Sequence, residues 1–263
     1  MLDHQGAGLQ RFAAQATQKV LAVVSHGDEQ QELLLLRGLC ARLAAQGYRV
    51  ALVDATVEEA EGQPGLGQLL DDSCWRSQPP GGNAAWATLP AKRGLRRLCH
   101  HADGSQLPVL QLARHLNSYS VIAVRASAQA LSSLLPSSGI QPVITAAATP
   151  ASLVSAYHAL KQLLLIGKLQ PTIVSMVSDS LQSSALLHSA VGRSLQDCAL
   201  TFLGSQLDTV QVRVGDDGDT DDLERLALRL LEAGTPRLQR EPLAHGPWLR
   251  AHAGLERHAA GGH

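Results

Sequence analysis

Short apolar runs alternate with longer stretches in which hydrophobic residues recur with a helical period. Runs of the first kind are typical of buried strands, and stretches of the second kind are typical of amphipathic helices. Strands are predicted near 20–24, 49–53, 95–98, 120–124, 141–145, 172–177 and 200–203. Helices are predicted near 6–16, 30–46, 106–116, 126–135, 150–166, 180–197 and 219–233. This alternation predicts an α/β fold, namely a doubly wound, mostly parallel sheet with helices on both faces.

The periodic pattern weakens in three places, which divide the chain. Residues 62–92 are rich in glycine and proline and predict a long loop with at most a short helix. Residues 235–263 contain Pro, Gly, His and Arg without a period and predict an irregular tail. Residues 1–18 precede the first strand and form a separate N-terminal segment. We therefore expect one α/β domain over residues 19–234.

The turn after the first predicted strand has the clearest chemical content. An apolar run at 20–25, an amphipathic helix that ends at Gly47 and a second apolar run at 48–54 form a βαβ unit. In P-loop proteins this turn is glycine-rich, so that its N–H groups surround phosphates, and a lysine neutralises them. Here the turn has one glycine, Gly27, and its acidic residues are Asp28, Glu29 and Glu32. Because carboxylates repel a triphosphate and compete for the positive end of the helix, the turn is predicted not to bind ATP.

This segment resembles the deviant Walker-A loop of MinD/ParA-type ATPases, and within that group the flagellar-number regulators called FlhG or FleN. The family pattern S-G-K-G-G-V-G-K-T-T aligns with residues 25–34 without a gap. Its first lysine falls on Gly27, its phosphate-binding lysine on Glu32, and its magnesium-binding threonine on Leu33. The resemblance thus gives the layout of a nucleotide loop without its phosphate-binding side chains.

Three further positions of the family's nucleotide site also differ. The D-A-D sequence after the second strand falls on 54–56, so that Asp54 keeps the first carboxylate and Thr56 replaces the second. The metal-facing aspartate of the Walker-B strand corresponds to Arg125, and the base-contacting asparagine corresponds to Ser175. The resemblance therefore implies a degenerate nucleotide site, with no catalytic residue, no cofactor, no metal and no ATP-driven homodimer.

Two later stretches also resemble this family. Residues 149–161 are similar to the family's P-x-P-T-S-L-T-D-A-Y-x-L-I-K helix start. Residues 203–208 are similar to its late strand and turn, F-L-G-x-I-x-x-D. Together the similar segments span most of residues 1–210.

The N-terminal segment resembles the D-Q-A-x-x-L-R sequence that precedes the ATPase core of FlhG proteins. In that family the segment docks on the SRP-type GTPase FlhF and stimulates GTP hydrolysis, since a glutamine can orient the attacking water. The resemblance assigns partner binding to Gln5, Leu9, Gln10, Arg11 and Phe12. An apolar stripe at Leu9, Phe12 and Ala13 suits a groove on a partner. The alternative is an ordinary frayed, partly helical terminus.

Composition limits the classes of function. The 263 residues are 45% hydrophobic but only 3% aromatic, so aliphatic side chains must form the core. A formal net charge of −1 gives no general attraction to nucleic acid or anionic lipid. Four scattered cysteines without a CxxC pair fit a reducing cytosol, and no apolar run reaches membrane-spanning length. We expect a cytoplasmic protein.

Other candidate sites are weak. Cys99, His100 and His101 have metal-ligand atoms, but three adjacent residues cannot all face one ion, and a strand end is predicted there. The aspartates at 216–222 fit the acidic first turn of a helix. That helix, 222–231, is amphipathic with mixed charge, so it is predicted to pack on the sheet, with membrane contact weak or indirect.

These patterns lead to three hypotheses. The first is a non-catalytic regulator of flagellar number and placement, recruited to the cell pole, which binds an SRP-type GTPase and flagellar switch or transcriptional regulator proteins. The second is a MinD-like adaptor for another polar machine, such as a pilus or cellulose-secretion system. The third is an active ATPase with a rearranged site, which predicts stabilisation by nucleotide.

Overall fold

The computed structural model describes residues 18–60, 64–71, 86–100, 107–147, 149–178, 184–214 and 220–235. Within these ranges the strands are β1 (Lys19–Ser25), β2 (Val50–Asp54), β3 (Ala87–Pro90), β4 (Val121–Ser127), β5 (Val143–Ala146), β6 (Thr172–Ser178) and β7 (Thr209–Val214). The helices are α1 (Glu29–Ala45), α2 (Leu66–Asp71), α3 (Lys92–His100), α4 (Pro108–His115), α5 (Ala128–Leu134), α6 (Pro150–Gln162), α7 (Ser184–Leu203) and α8 (Thr220–Ala233). A π-helical turn, Leu163–Gly167, continues α6.

All seven strands form one parallel sheet in the order β3-β2-β4-β1-β5-β6-β7. β1 lies at its centre, with Val23 opposite Arg125 of β4 on one side and Val143 of β5 on the other. Asp54 of β2 also lies opposite Arg125. The carboxyl ends of β1, β2 and β4 therefore meet at one edge, where ligands bind in open parallel sheets.

Hydrophobic cores cover both faces of the sheet. Val20 and Val24 of β1 face one core, and Leu21 and Val23 face the other, because successive side chains of a strand point to opposite faces. Helices α2 to α7 contribute to the first core, while α1 and α8 cover the second. The predicted doubly wound parallel sheet is confirmed, and α8 packs its apolar side on the sheet as expected.

The strand predicted at 95–98 is wrong, because this segment lies in α3. Leu95 and Leu98 are buried three positions apart, whereas Arg96 and Arg97 between them are exposed, which is a helical spacing. Cys99 and His100 therefore end a helix rather than a strand. The strand is β3, a four-residue edge strand inside the predicted loop 62–92, where α2 also forms. Its terminal proline is tolerated because edge strands have unpaired N–H groups.

The strand predicted at 200–203 is also wrong, since these residues form the last turn of α7. Gly204 follows the helix, and its φ of 63° is the left-handed conformation common after a helix. The strand follows as β7, in which valine alternates with polar residues. Residues 203–208, which resemble the family's late strand and turn, therefore form a helix end and a connection.

The predicted terminal segments lie almost entirely outside the described residues, which do not include positions 1–17 and 236–263. Gln18 is described, and its side-chain amide donates to the carbonyl oxygens of Leu116 at 2.7 Å and Tyr119 at 3.0 Å. At the other end, the Val20 N–H donates to the Gly234 carbonyl at 2.7 Å. The start of β1 and the end of α8 are thus tied to each other and to the sheet.

Candidate functional site

The β1–α1 loop (residues 26–28) connects the central strand to the first helix, as in a P-loop protein. Gly27 has a φ of 106°, in the region that favours glycine. A Cβ added at this position would have no atom within 4 Å, so the restriction is one of backbone conformation rather than space. The lysine that the family pattern places here would be strained in this loop.

Glu32 occupies the hydrogen-bond donors of this loop. One carboxylate oxygen, Oε1, accepts from the backbone N–H groups of His26 at 2.8 Å and Gly27 at 3.3 Å. The other oxygen, Oε2, accepts from Arg125 Nη2 at 2.8 Å and Nε at 3.1 Å. The side chain is fully buried. An anion belonging to the chain itself therefore lies at the position that the family pattern gives to the phosphate-binding lysine.

Arg125 is the cation that balances this carboxylate, and its side chain is 2% exposed. Arg125 lies on β4, between β1 and β2, so that its side chain reaches residues that follow both of these strands. Besides Glu32, its Nη1 donates to Asp54 Oδ2 at 3.3 Å and to Thr56 Oγ1 at 3.0 Å. The exposed carboxylate of Glu29 approaches Nη1 at 3.7 Å. We refer to Glu32, Asp54, Thr56 and Arg125 as the buried network.

Asp54 both joins the network and closes a turn. Its Oδ1 accepts from the Thr56 N–H at 3.0 Å and from the Thr56 hydroxyl at 2.6 Å. An aspartate bonded to the residue two positions later forms an Asx-type turn, so that Asp54 caps the turn that follows β2. Thr56 Oγ1 thus donates to Asp54 and accepts from Arg125.

The environment keeps both partners of the central pair charged. Burial raises the pKa of Glu32, but the His26 N–H, the Arg125 guanidinium and the Ser25 hydroxyl outweigh it, so that the pKa lies below its ordinary value. Burial lowers the pKa of Arg125, but hydrogen bonds and charge from Glu32 and Asp54 raise it above its ordinary value. Two carboxylates therefore surround one guanidinium, and N–H groups of His26, Gly27 and Thr56 stabilise the excess negative charge.

A second set of hydrogen bonds fixes the loop to β5 and α6. The His26 ring contacts the Thr145 carbonyl oxygen at 2.9 Å through Nε2 and the Ser155 hydroxyl at 3.1 Å through Nδ1. Asp28 Oδ2 accepts from the Ser152 hydroxyl at 2.9 Å, and that hydroxyl accepts from the Ala147 N–H at 3.1 Å. Although Asp28 immediately precedes α1, its side chain does not cap the helix. The Glu32 carboxylate, by contrast, accepts from N–H groups of the loop that precedes α1.

The structure brings Gly27, Glu32, Asp54, Thr56 and Arg125 together, but not every residue assigned to the degenerate site. Leu33 is half-buried on α1, with no polar role. Ser175 is buried on β6, which β5 separates from β1, and its hydroxyl has no hydrogen-bond partner in the described part of the chain. The residues assigned to partner binding, Gln5, Leu9, Gln10, Arg11 and Phe12, lie outside the described residues.

Sequence reasoning missed the pairing of Glu32 with Arg125. It treated the two as separate departures from the family pattern, whereas they are reciprocal: the loop has an anion where the pattern has a cation, and β4 has a cation where the pattern has an anion. That reciprocity was the signal available in the sequence. The contacts of His26 and of Asp28 were also missed.

The described residues contain no group of three His, Cys, Asp or Glu side chains that could hold a metal ion. None of the helices described is long and apolar enough to cross a membrane.

Comparison with known proteins gives matches by structure alone. A scan against protein-family models finds no match, and neither does a search of curated proteins. The chain resembles the ATP complex of a McdA variant from Cyanothece, with a TM-score of 0.52 and 15% identity over 84% of this chain and 98% of that one. It also resembles pNOB8 ParA bound to nonspecific DNA, with a TM-score of 0.51 and 12% identity over 82% of this chain and 98% of that one.

A third similar structure is the MinC:MinD cell division complex from Aquifex aeolicus. Its TM-score is 0.50 and its identity 14%, over 79% of this chain and 86% of that one. At such identities the likeness establishes the fold, which is the α/β fold of the MinD/ParA ATPases. The resemblance to FlhG or FleN stays a prediction from the sequence.

Proposed function

We propose that this chain is a MinD/ParA-type scaffold that has lost ATP binding and hydrolysis and acts by binding other proteins. The observation that carries the proposal is the buried carboxylate of Glu32, which accepts hydrogen bonds from the loop N–H groups and from Arg125. A phosphate bound in the loop would need the same N–H groups and a neighbouring cation. Here the donors are occupied, and two carboxylates already neutralise the cation.

The cost of making room for a phosphate can be estimated. Glu32 would have to leave Arg125, and separating one partner from a buried ion pair costs about 3–5 kcal/mol. Since 1.4 kcal/mol corresponds to a factor of ten, this lowers phosphate affinity by about two to four orders of magnitude. The carboxylates of Asp28 and Glu29, which flank the loop, add repulsion. The residues present therefore do not fit a magnesium–triphosphate group.

Titration with Mg·ATP tests this part of the proposal. In the Arg96→Gln variant, which lacks an exposed cation outside the loop, calorimetry and thermal unfolding are expected to show no saturable binding, whereas a ligand at a hundredfold excess over its Kd would stabilise the fold by about 2.7 kcal/mol. A stabilisation of that size, retained when the exposed cation Arg96 is replaced by glutamine, would place the nucleotide in the loop and contradict the proposal.

The finer proposal is that the scaffold regulates flagellar number and placement from the cytoplasm, with recruitment to the cell pole. It is supported by the sequence resemblance of residues 25–34, 149–161 and 3–12 to FlhG or FleN proteins. In this proposal Gln5 and its neighbours dock on an SRP-type GTPase and stimulate GTP hydrolysis. Flagellar switch or transcriptional regulator proteins bind elsewhere on the scaffold.

A GTP-hydrolysis assay with the flagellar GTPase from the same cell tests this role. The intact chain is expected to bind the GTPase and accelerate hydrolysis, and Gln5→Ala is expected to keep binding but lose the acceleration, because it removes the group that orients water. Gln15→Ala is the matched control, since it makes the same change in the same segment outside the resembling residues. Absence of binding, or equal acceleration by the chain with Gln5→Ala, would reject the activator role.

A further inference from the structure

A cleft of about 610 Å³ opens at the carboxyl ends of β1, β2 and β4, next to the buried network. Residues of α3 and α5 line it together with Ser25, Thr56 and Ser127. Glu32, Asp54 and Arg125 do not line it. The carboxyl edge of a parallel sheet is the usual place for ligands, and a cleft of this volume suits a small molecule. We call it the α3 cleft.

The described residues that line the α3 cleft include three basic side chains and no carboxylate. Lys92, Arg96 and His100 all line it, because residues four apart share one face of a helix. Burial raises the pKa of Cys99, which also lines the cleft, to about 11, so that this thiol is neutral at pH 7. The lining therefore has a positive charge, although the chain as a whole has a formal charge of −1.

Three cations of α3, Lys92, Arg93 and Arg97, have carboxylate partners among the described residues. Arg97 pairs with Asp71 at 2.6 Å, and Glu58 pairs with Arg93 at 3.3 Å and with Lys92 at 3.0 Å. Of the residues that the structure describes, none pairs with Arg96. Arg96 is therefore the cation of this face whose charge no described carboxylate balances, and a bound anion would balance it.

The helix that carries these cations is held in place before any ligand binds. Glu59 accepts from the N–H groups of Gly67 at 2.7 Å, Arg93 at 2.7 Å and Gly94 at 3.0 Å, which ties the start of α3 to α2. A Cβ at Gly94 would clash with the backbone nitrogen of Gly67, so the two helices touch through their backbones. The position of Arg96 is therefore set by packing.

A hydroxyl on the opposite side can serve as a donor. Ser127 accepts the Ala130 N–H at 3.2 Å as the cap of α5, which leaves its own O–H proton free to donate. Ser133, by contrast, already donates to the Gln129 carbonyl oxygen at 3.2 Å. Cations on α3 and a hydroxyl donor near α5 are the groups that bind phosphate or carboxylate oxygens.

We propose that the α3 cleft binds a small organic anion through a phosphate or carboxylate group, with Arg96 as its principal cation and Lys92, His100 and Ser127 as supporting groups. The proposal is independent of the function proposed above, since no charged residue of the network takes part. Phosphorylated metabolites and polycarboxylates share the chemistry that this lining recognises.

Calorimetry with inorganic phosphate, glucose 6-phosphate and citrate tests the proposal, with glucose as the neutral control. Saturable binding of a single anion by the intact chain is expected. Preference for glucose 6-phosphate indicates a phosphorylated ligand, and preference for citrate indicates a polycarboxylate; either result supports the proposal.

Two matched variants locate the binding. Arg96→Gln is expected to bind about ten- to hundredfold more weakly, since it removes a charge-assisted hydrogen bond. Arg97→Gln removes the same charge from the same helix outside the cleft and is expected to bind like the unsubstituted chain. Circular dichroism checks that both variants are folded. Absence of saturable binding for every anion, or an equal loss in both variants, would overturn the proposal.

Discussion

Replacing Arg125 by methionine is the most direct test of the buried network, because methionine keeps an unbranched apolar stem and has no charge. The substitution leaves Glu32, with no exposed area, and Asp54, 6% exposed, buried without their cation. Removing one partner of a buried ion pair costs about 3–5 kcal/mol of the free energy of unfolding. For a domain of this size, 1 kcal/mol corresponds to about 2–4 °C, so the melting temperature is expected to fall by about 6–20 °C.

Urea unfolding followed by circular dichroism at pH 7 measures this loss. Arg37→Met is the matched control, because Arg37 is an exposed residue of α1, and such a change is expected to stay within about 0.5 kcal/mol. The m-values of both variants are expected to match that of the unsubstituted chain, since neither changes the surface exposed on unfolding.

The same measurement at lower pH identifies the loss as ionic. The folded-state pKa of Glu32 is lowered, so its carboxylate contributes stability that is complete above the unfolded pKa, about 4.3, and is lost as pH falls through the folded pKa. Arg125→Met removes one cause of that lowering. The unsubstituted chain and the variant should therefore approach each other in stability as the pH falls through the folded pKa of Glu32. A loss under about 1 kcal/mol at pH 7, or an equal loss at pH 7 and pH 3, would refute the ionic interpretation.

Three further substitutions probe the same site. Glu32→Leu combined with Arg125→Met is expected to be more stable than Arg125→Met alone, because an apolar pair leaves no unpaired charge at Glu32; a double-mutant cycle in urea measures this coupling. Gly27→Ala is expected to lower the free energy of unfolding by about 1–3 kcal/mol in the same assay, because a φ of 106° is strained for alanine. A neutral result would mean that the loop relaxes to another conformation. Ser152→Ala is expected to lower the free energy of unfolding by about 1–3 kcal/mol, because it leaves the Ala147 N–H without its acceptor and removes the hydrogen bond to Asp28. The same change at the exposed Ser133 is the control, and its effect is expected to stay within about 0.5 kcal/mol.

The elements that the sequence predicted well are those whose pattern is local. The apolar run of β1, the amphipathic α1 and the glycine at residue 47 define their βαβ unit without reference to the rest of the chain. The edge strands β3 and β7 were missed because an edge strand is short or half polar, so its pattern is weaker than that of a central strand. Helix α3 has only nine residues, and its few apolar or small residues lie among basic ones. A hydrophobic pattern this short does not distinguish a helix from a strand.

The buried network depends on strand order, which no local pattern contains. Glu32 and Arg125 lie 93 positions apart, and they meet because β4 inserts between β1 and β2. The sequence showed that Glu32 and Arg125 each differ in charge from the family pattern, but it did not show that the two side chains pair with each other. The α3 cleft was missed for the same reason, since it joins two helices to the ends of three strands.

The reciprocal change of charge also predicts what would reopen the loop. Glu32→Lys alone would place a second buried cation beside Arg125, and Arg125→Asp alone would add a carboxylate beside Glu32 and Asp54. Each change would leave about 3–5 kcal/mol of uncompensated charge, which is a large part of the roughly 5–15 kcal/mol that stabilises a domain. The combined variant E32K/R125D restores a pair of opposite charges and frees the N–H groups of His26 and Gly27.

We therefore expect E32K/R125D to be more stable than either single variant and to be stabilised by inorganic phosphate more than the unsubstituted chain is. Urea unfolding with and without phosphate measures both quantities, and adding Arg96→Gln to each protein removes any contribution from the α3 cleft. If phosphate stabilises the two proteins equally in that background, the carboxylate of Glu32 is not what closes the loop to anions. The effect would then come from the features that the charge exchange leaves unchanged, namely the backbone conformation at Gly27 and the carboxylates of Asp28 and Glu29.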